Sequence, residues 1–569
     1  MHRIKRIFSN LPIILSTAIL IYLIVIPVIL LLVAGFKDHG LVMKPGFMLD
    51  NYIGLYTSRR TYTLMLNTVK FAAGSMLMTL ILSVALAWLV QKTNIPFKPW
   101  LRAAIIVPMA IPGMLIAMGW ALLASPKIGI LNTFLMDVFS LEQPFLNIYS
   151  LTGMIFVQGL FGVPSSFLML SVCFNNMDPV FEEASATSGA GTLKTLRRII
   201  LPILTPGLLA VAIASFLIGL ATFDVAGVLG KPARINVLST DIMDSLYEAS
   251  GMPDFGRISA LATVFLVCIL VLSYIYNQQT MAIHRFASIT GKGYRPKEMD
   301  LGRGKPFAVA FIILYLLLAV LLPIASLGWQ SLTPYYGKIT LDNLDLLSLN
   351  NYAALLDYPK LGGAIINTLI IAAVSATAVT VLATVVSWII VRSKYKARRV
   401  LDYLSMLPMA VPPIMMGVAL ITLYLALKVG IYGTIWIIAI AYTTIFMSYS
   451  TRTANNTLFQ ITNDLEEAAQ VSGASWMRTM RTIILPLLRP ALIGLWIWVL
   501  IHAVRELTAA MMLQSPRNYV LTTILWGLWE HGDSPMMAAL GVCLAVFLFL
   551  VMGIGQVLAK RFQIPTGFE

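Results

Sequence analysis

Twelve apolar runs, arranged in two sets of six, constrain the fold of this chain more than any other feature. A helix needs about 20 apolar residues to cross a bilayer, and only helices and closed barrels satisfy their backbone groups inside one. The runs therefore predict an all-α polytopic membrane protein with about 12 transmembrane helices. The first set lies near residues 11–35, 64–91, 101–124, 151–173, 203–223 and 257–280, and the second near 307–329, 364–391, 401–426, 431–450, 487–504 and 536–558.

Composition agrees with a membrane protein and excludes a nucleic-acid groove. The 569 residues are 59% hydrophobic and 11% charged, with a mean hydropathy of +0.84 and a net charge of +15. Lys and Arg concentrate in alternate loops, which is the positive-inside bias of a protein embedded in a lipid bilayer. The first apolar run is too long for a signal-peptide core and lacks a convincing cleavage site, so it is expected to be a retained first helix. The N- and C-termini are expected in the cytoplasm. Cys173, Cys268 and Cys543 fall in apolar runs, where they are expected to be small core residues.

One polar stretch of the first half recurs in the second. Residues 183–202 read EASATSGAGTLKTLRRIILP, and residues 467–486 read EAAQVSGASWMRTMRTIILP. Glutamates at the start of a short helix interact favourably with its dipole, and the shared glycine is expected to end or bend the helix. Asp178-Pro179 and Asn463 are the predicted N-caps. The pattern predicts short helices near 178–200 and 463–484, although an ordinary interfacial amphipathic helix is the alternative.

The duplication extends along most of the chain. Asn67-Thr68 recurs as Asn367-Thr368, and residues 107–112 (VPMAIP) recur as 407–412 (LPMAVP). Six spans per half, an even number, predict two parallel six-helix repeats related by an axis along the membrane normal. The predicted units are residues 1–283, a flexible cytoplasmic linker at 284–306, and residues 307–569. The first half carries extra residues, which we place in the external loop around 128–150.

The repeated stretch resembles the coupling loop of ABC importer permeases, whose pattern is EAA, three residues, Gly, nine residues and I-x-L-P. The second copy fits fully, and the first departs only at Ser185. The fusion of two halves, with the segments 502–510 (HAVRELTAA) and 525–530 (LWGLWE), is most similar to ferric-iron-type permeases. Relatives with this layout carry other cargo, including thiamine, polyamines, sugar phosphates and phosphonates.

The resemblance implies a type I ABC importer permease fold in a bacterial inner membrane. It implies that the chain is not an enzyme and binds no cofactor, with ATP and Mg held by two copies of a separate ATPase subunit. A periplasmic or extracellular solute-binding protein would deliver cargo. The stretch Gly189 to Thr195 lacks the glycine that a phosphate-binding loop places before Lys194. The implied ATPase-coupling residues are Glu182, Glu183, Ala184, Gly189, Leu201, Pro202, Glu466, Glu467, Ala468, Gly473, Leu485 and Pro486.

The cargo path is indicated less directly, and no metal site is predicted. Pro112, Pro412 and Pro413 interrupt matching apolar runs, and broken helices at matching places indicate a midplane site. They are equally compatible with packing kinks. Arg505 and Glu506 end the eleventh run, where charges indicate function or a structural pair.

Two other classes of membrane protein remain as alternatives. An ion-coupled secondary transporter would also have two halves, but it needs carboxylates within its spans, and the apolar runs hold almost none. A membrane enzyme would need clustered His, Asp or Glu, which five scattered histidines do not supply.

Overall fold

The fold is a bundle of helices. The computed structural model describes residues 12–40, 42–175, 177, 180–247, 253–285, 298–337, 344–393 and 398–561. Within these residues all regular structure is helical, apart from an isolated bridge between Thr93 and Met299. This confirms the all-α class.

Eight helices are long and apolar enough to cross a membrane, and three pairs of helices joined at sharp bends bring the described residues to as many as eleven candidate spans. We number the spans by the apolar runs. The straight ones are the first (Pro12–Ala34), second (Arg59–Lys92), fourth (Leu151–Asn175), sixth (Phe255–Ile275), seventh (Gly302–Leu332), eighth (Leu361–Arg392), eleventh (Met477–Arg505) and twelfth (Ser534–Val557). The bent ones are the third (Lys98–Ala110 with Gly113–Ala124), fifth (Leu196–Ile203 with Thr205–Ala221) and ninth (Arg398–Ala410 with Pro413–Leu427).

The tenth run is less apolar than the candidate spans, so the described residues show up to eleven spans by length and composition, where about 12 were predicted. It forms the helix Ile435–Gln460, whose second half is polar. Thr451 and Asn455 are nevertheless buried. The hydroxyl of Ser387, on the eighth span, donates to the carbonyl of Thr451 at 3.0 Å. A helix enclosed by its neighbours needs less apolar surface, because protein groups rather than lipid face its polar side chains.

The third and ninth runs, in which the matching prolines indicated broken helices or packing kinks, are sharply broken. Their two arms meet at 93° and 108°. Ile111 and Val411, each directly before a proline, have extended backbones with ψ of 134° and 107°. Proline disfavours the helical conformation in the preceding residue, so each helix ends there. A new helix begins just after Pro112, and Pro413 opens its counterpart at a position where proline is favourable.

Equivalent hydrogen bonds in the two halves support the duplication. The hydroxyl of Thr68 accepts from the backbone N–H of Leu238 at 2.9 Å, and that of Thr368 accepts from Leu521 at 2.9 Å. Each threonine lies on the second span of its half. Its hydroxyl binds the first turn of the short helix that follows the fifth span of that half. The sequence repeat is therefore also a repeat of tertiary contacts.

The first span of each half packs against the bent span of the other half. The hydroxyls of Tyr22 and Tyr424 lie 2.8 Å apart, which joins the first span to the ninth. The hydroxyl of Ser326 donates to the carbonyl of Gly119 at 3.0 Å, which joins the seventh span to the third. A Cβ on Gly119 would lie 2.5 Å from the carbonyl oxygen of Pro323, so this crossing requires glycine. The two halves are interlocked.

The described end of the predicted linker is held on the first half. The Lys98 Nζ lies 2.6 Å from Glu298 Oε1, and Asn94 Nδ2 donates to Asp300 Oδ1 at 2.5 Å. The backbone N–H of Gly302, the Asn94 amide and Lys305 lower the pKa of Asp300 to about 2. Residues 286–297 lie outside the described part of the chain, so the boundaries at 284 and 306 stay a prediction.

The loop predicted to carry the extra residues of the first half contains the helix Ile130–Phe139. The buried amide of Asn132 donates to the carbonyls of Ser125 at 3.0 Å and Leu146 at 2.7 Å. This one side chain closes the loop onto the end of the third span.

The cysteines depart from the expectation of core positions. Cys173 is half-buried, while Cys268 and Cys543 are exposed. The exposed faces of membrane-spanning helices are apolar, so hydrophobicity alone could not separate core from lipid-facing positions.

Candidate functional site

The two repeated stretches form matching short helices. The first loop helix is Val180–Thr187 and the second loop helix is Asp464–Val471, each eight residues long. The first contains the backbone of Glu182, Glu183 and Ala184, and the second contains Glu466, Glu467 and Ala468. Asp178 and Pro179, the predicted N-cap of the first helix, lie outside the described residues.

Glycine ends both loop helices in the same way. Gly189 and Gly473 have φ of +74° and +77°, in the left-handed region that favours glycine. In each copy the residue after the glycine donates a hydrogen bond five residues back, which is the Schellman arrangement. These bonds are Ala190 N to Ser185 O at 3.1 Å and Ala474 N to Ala469 O at 2.9 Å. The interpretation of the glycine as the end of each helix fits this geometry.

Arg392, at the end of the eighth span, anchors the second loop helix. Its Nε lies 2.9 Å from Glu466 Oε1, and the two side chains are only 10% and 17% exposed. The guanidinium also donates to the carbonyl of Ile461 at 2.6 Å and to the side chain of Asn463. Asn463 lies at the predicted N-cap position, but its side chain makes no cap hydrogen bond and accepts from Arg392 instead. The sequence could not reveal this pair, because the partners lie far apart in the chain.

Ser185, the one departure of the first copy from the family pattern, has a structural partner. Its hydroxyl lies 2.8 Å from that of Thr195, and both side chains are buried. The equivalent residues of the second copy, Ala469 and Thr479, are buried as well. The position requires a small side chain, and Thr195 satisfies the added hydroxyl.

A wide helical turn precedes the Leu-Pro pair in each copy. The π turns Leu196–Ile200 and Met480–Ile484 lead directly into Leu201-Pro202 and Leu485-Pro486. Proline lacks the N–H that an α-helix requires, which accounts for a widened turn at the same place in both halves. The chain thus passes from each loop helix into the fifth or eleventh span through the same distortion.

Both loop helices expose apolar side chains. Phe181 is 48% exposed on the first, and Leu465 and Val471 are 43% and 90% exposed on the second. Met477, at the start of the eleventh span, is exposed beside them. Exposed apolar side chains are therefore a feature that the two loop helices share.

A charged cluster lies where the halves meet, at the end of the eleventh span. Arg505 donates to the carbonyl of Met109, in the turn between the arms of the third span. Glu506 accepts from the backbone N–H groups of Ala509 at 3.1 Å and Ala510 at 3.3 Å, so it caps the helix Thr508–Leu513. The predicted pair therefore has two different structural roles, one between halves and one within its own half.

Asp224 completes the charged cluster from the first half. Its charge interacts with that of Arg505. A Cβ built on Gly113 would lie 3.0 Å from Asp224 Oδ2, which places the carboxylate against the break after Pro112. The structure thus brings the break at Pro112 together with Arg505. Pro412 and Pro413 open a helix whose Gly417 packs on Met512. The predicted role of Pro112, Pro412, Pro413, Arg505 and Glu506 in the cargo path stays a prediction.

An aromatic stack lies one turn before the cluster. The ring of His502 stacks on Trp498 at 3.8 Å, and Trp498 stacks on Tyr449 at 3.7 Å. The Nδ1 atom of His502 lies 2.8 Å from the Trp498 carbonyl. Sequence reasoning missed the stack because Tyr449 belongs to a different helix. Among the described residues no three His, Cys, Asp or Glu side chains group as metal ligands would.

Comparison with known families gives one match that covers both halves. The family model described as "Binding-protein-dependent transport system inner membrane component" matches residues 79–285 and residues 380–564. Each matched segment contains one loop helix and its glycine.

Several curated proteins are similar to this chain. The ferric transport system permease protein FbpB of Actinobacillus pleuropneumoniae is 28% identical over 79% of this chain and 64% of its own length. A probable ABC transporter permease, y4fN of Sinorhizobium fredii, is 25% identical over 86% of this chain and 85% of its own length. The spermidine/putrescine transport system permease protein PotC of Haemophilus influenzae is 25% identical over 38% of this chain and 82% of its own length. The match to the first of these relatives therefore spans less than two thirds of that protein.

A solved structure resembles part of the chain. The crystal structure of a bacterial ABC transporter involved in the import of alginate matches 46% of this chain and 96% of its own chain, with 17% identity and a TM-score of 0.37.

Proposed function

Because this multi-pass membrane protein belongs to the family of binding-protein-dependent transport system inner membrane components, we propose that it is the permease subunit of an ATP-driven importer. The chain provides the path through the membrane, and two copies of a separate ATPase subunit, with ATP and Mg, provide the energy. A solute-binding protein delivers cargo from the periplasm or the outside. The protein lies in a bacterial inner membrane, with both termini in the cytoplasm.

The observation that carries this proposal is the matched pair of loop helices. Both end at a left-handed glycine, both lead through a π turn into a span, and both expose apolar side chains. Two equivalent surfaces, one in each half, fit two identical partners. This is the arrangement expected for a pair of ATPase subunits and not for a transporter that couples to an ion.

The structure offers a path for force from the second loop helix to the charged cluster. Arg392 and Glu466 tie this helix to the eighth span, and the eleventh span runs without a sharp bend to Arg505. Arg505 in turn holds the carbonyl of Met109 in the other half. A displacement of the loop helix therefore acts on the contact between halves, where alternating access has to open and close the path.

The proposed cargo is ferric iron or a related small solute. Support comes from ferric transport permeases at 28% identity over 79% and 72% of this chain. Relatives named for spermidine/putrescine and for 2-aminoethylphosphonate keep other cargo open, together with sugar phosphates and thiamine. An ion-coupled secondary transporter is the remaining alternative, and it would work without an ATPase.

Transport by the reconstituted complex tests the function. The chain is placed in proteoliposomes with the ATPase and solute-binding protein encoded beside its gene, and uptake of radiolabelled ferric iron is measured with and without ATP. We expect uptake that requires ATP and both partners. Uptake by the purified chain alone under an ion gradient would contradict the proposal, and ATP-dependent uptake of another solute would change only the cargo.

A further inference from the structure

A groove with two arginines lies beside the start of the eleventh span. It has a volume of about 460 Å³ and is lined by Arg481, Arg489, Leu492, Trp496 and, from the eighth span, Thr380. The groove thus combines positive charge with apolar walls.

The groove opens on the outer, lipid-facing side of the bundle. Trp496 and Trp498 are two residues apart, so they point in directions about 200° apart around the helix. Trp498 faces inward, since it stacks on Tyr449 and His502. Trp496 faces the other way and donates to the hydroxyl of Thr377 at 3.0 Å.

The neighbouring surface of the eighth span is apolar and exposed. Val374 and Val381 lie one helical turn on either side of Thr377, and they are 38% and 59% exposed. In a protein embedded in a bilayer, such a surface is covered by lipid chains. The occupant of the groove therefore comes from the lipid.

The two arginines determine which lipid headgroup the groove can bind. Arg481 and Arg489 lie eight residues apart, about 12 Å along the helix, so both guanidinium groups can reach one headgroup near the membrane surface. Guanidinium binds phosphate through paired, charge-assisted hydrogen bonds. Leu492 and Trp496 continue the groove as an apolar wall, and basic pockets between spans are known to take anionic headgroups.

The first half carries no equivalent site in its sequence. At the spacing of the repeat, Arg489 corresponds to Thr205, Trp496 to Ala212 and Arg481 to Arg197. Of these three groove residues, only Arg481 has an identical counterpart, Arg197. The two arginines and the tryptophan thus occur together only in the second half, and Arg197 in the first half serves as an internal control.

We propose that this groove binds one anionic phospholipid, with its phosphate between Arg481 and Arg489 and an acyl chain along Leu492 and Trp496. The bound lipid bridges the eighth and eleventh spans, the two spans that hold the second loop helix. The proposal requires only that the chain is embedded in a membrane, and it does not depend on the cargo or the ATPase.

Lipid retention by the purified full chain tests the proposal. Native mass spectrometry is run after delipidation and addition of phosphatidylglycerol, phosphatidylcholine or inorganic phosphate. We expect the unmodified chain to retain one phosphatidylglycerol molecule and no phosphatidylcholine. The double variant R481Q/R489Q should lower the affinity roughly thirtyfold, because each basic residue near a membrane surface strengthens the binding of anionic lipid. The matched variant R197Q should leave it unchanged.

Three outcomes would overturn the proposal: equal retention by R481Q/R489Q, an equal loss in R197Q, or competition by inorganic phosphate, which indicates a free-anion site. If the double variant does not fold, the single variant R481Q decides the question, because Arg481 is exposed. Its affinity should fall roughly fivefold, and an unchanged affinity would also overturn the proposal.

Discussion

At the scale of single residues, the loop helices depend on one backbone conformation and one ion pair. Gly189 and Gly473 occupy left-handed backbone in open space, where no atom would contact an added Cβ. The requirement for glycine is therefore conformational and not steric. Arg392 and Glu466 form the ion pair, which is largely shielded from water.

Substitutions at Gly473 separate conformation from size. Gly473→Val should destabilise the end of the second loop helix by roughly 1–2 kcal/mol, and Gly473→Asn by less, since Asn tolerates the left-handed region better. Amide hydrogen exchange of residues 464–474 measures the difference. Gly494→Ala is the control, because Gly494 is helical with space around it. Equal protection in the Val and Asn variants would contradict this account.

The two glutamates of the second copy should behave differently. Glu466→Gln leaves Arg392 without its carboxylate partner, and loss of one partner from a shielded ion pair is costly. We expect hydrogen exchange in residues 464–471 to rise about tenfold or more, together with weaker binding of the ATPase subunit. Glu467 is exposed, so Glu467→Gln should leave the exchange unchanged. Similar exchange in both variants would show that Arg392 is not the anchor.

At the scale of elements, prolines determine where helices end, and polar contacts at the described end of the linker position the seventh span. Pro112 and Pro412 turn single apolar runs into bent pairs. The described end of the linker is pinned through Asp300, which accepts from Gly302 N and Asn94 and lies 3.3 Å from Lys305. These local contacts position the seventh span on the first half.

The contacts that hold the described end of the linker on the first half should weaken when Asp300 loses its charge. Its folded-state pKa of about 2 lies below the usual value near 4, so its contribution is present above about pH 4 and is lost as the pH falls through about 2. Asp300→Asn reproduces the low-pH state at neutral pH, and exchange at Met299 and Leu301 should increase. Glu298→Gln should have a smaller effect, since Glu298 contributes an exposed ion pair with Lys98, whereas Asp300 also accepts hydrogen bonds from Gly302 N and Asn94. An effect of Glu298→Gln as large as that of Asp300→Asn would contradict the assignment.

At the scale of the whole molecule, the halves are interlocked through exchanged first spans and joined by charges. Lys231 of the first half lies 3.1 Å from Glu530 of the second and 3.0 Å from Asp244. Burial alone would lower the pKa of Lys231, but the hydrogen bonds and charges of Asp244 and Glu530 outweigh burial and raise it. Because the twelfth span begins just after Glu530, we infer that this contact lies at the end opposite the loop helices.

A charge swap tests the contact between halves. Lys231→Glu should lower stability because it faces two carboxylates, and Glu530→Lys in the same chain should recover part of the loss. The coupling between the two substitutions should be about 0.5–1 kcal/mol, as for partly exposed pairs. Because a raised pKa stabilises the protonated form, the contribution of Lys231 should persist at neutral pH and fall only above pH 10.5. Thermal unfolding in detergent measures both effects, and simple additivity would contradict the contact.

The sequence by itself determined the features that depend on neighbours along the chain. Apolar run length located the spans, the repeated stretch located both loop helices, and glycine placed their ends. The prolines indicated where the third and ninth runs are interrupted, because backbone conformation and helix termination are decided within a few residues. The departure of Ser185 from the repeated pattern was also visible in the sequence.

Only the tertiary structure decided what these features contact. It placed Arg392 on Glu466, Arg505 on Met109 and Trp496 in a groove between the eighth and eleventh spans. It also enclosed the polar half of the helix formed by the tenth run, and it set the angles of 93° and 108° at the two breaks that the prolines had indicated. The physical reason is that hydrophobic patterning specifies burial but not partners, and a polar side chain gains its role from groups that packing brings to it from distant parts of the chain.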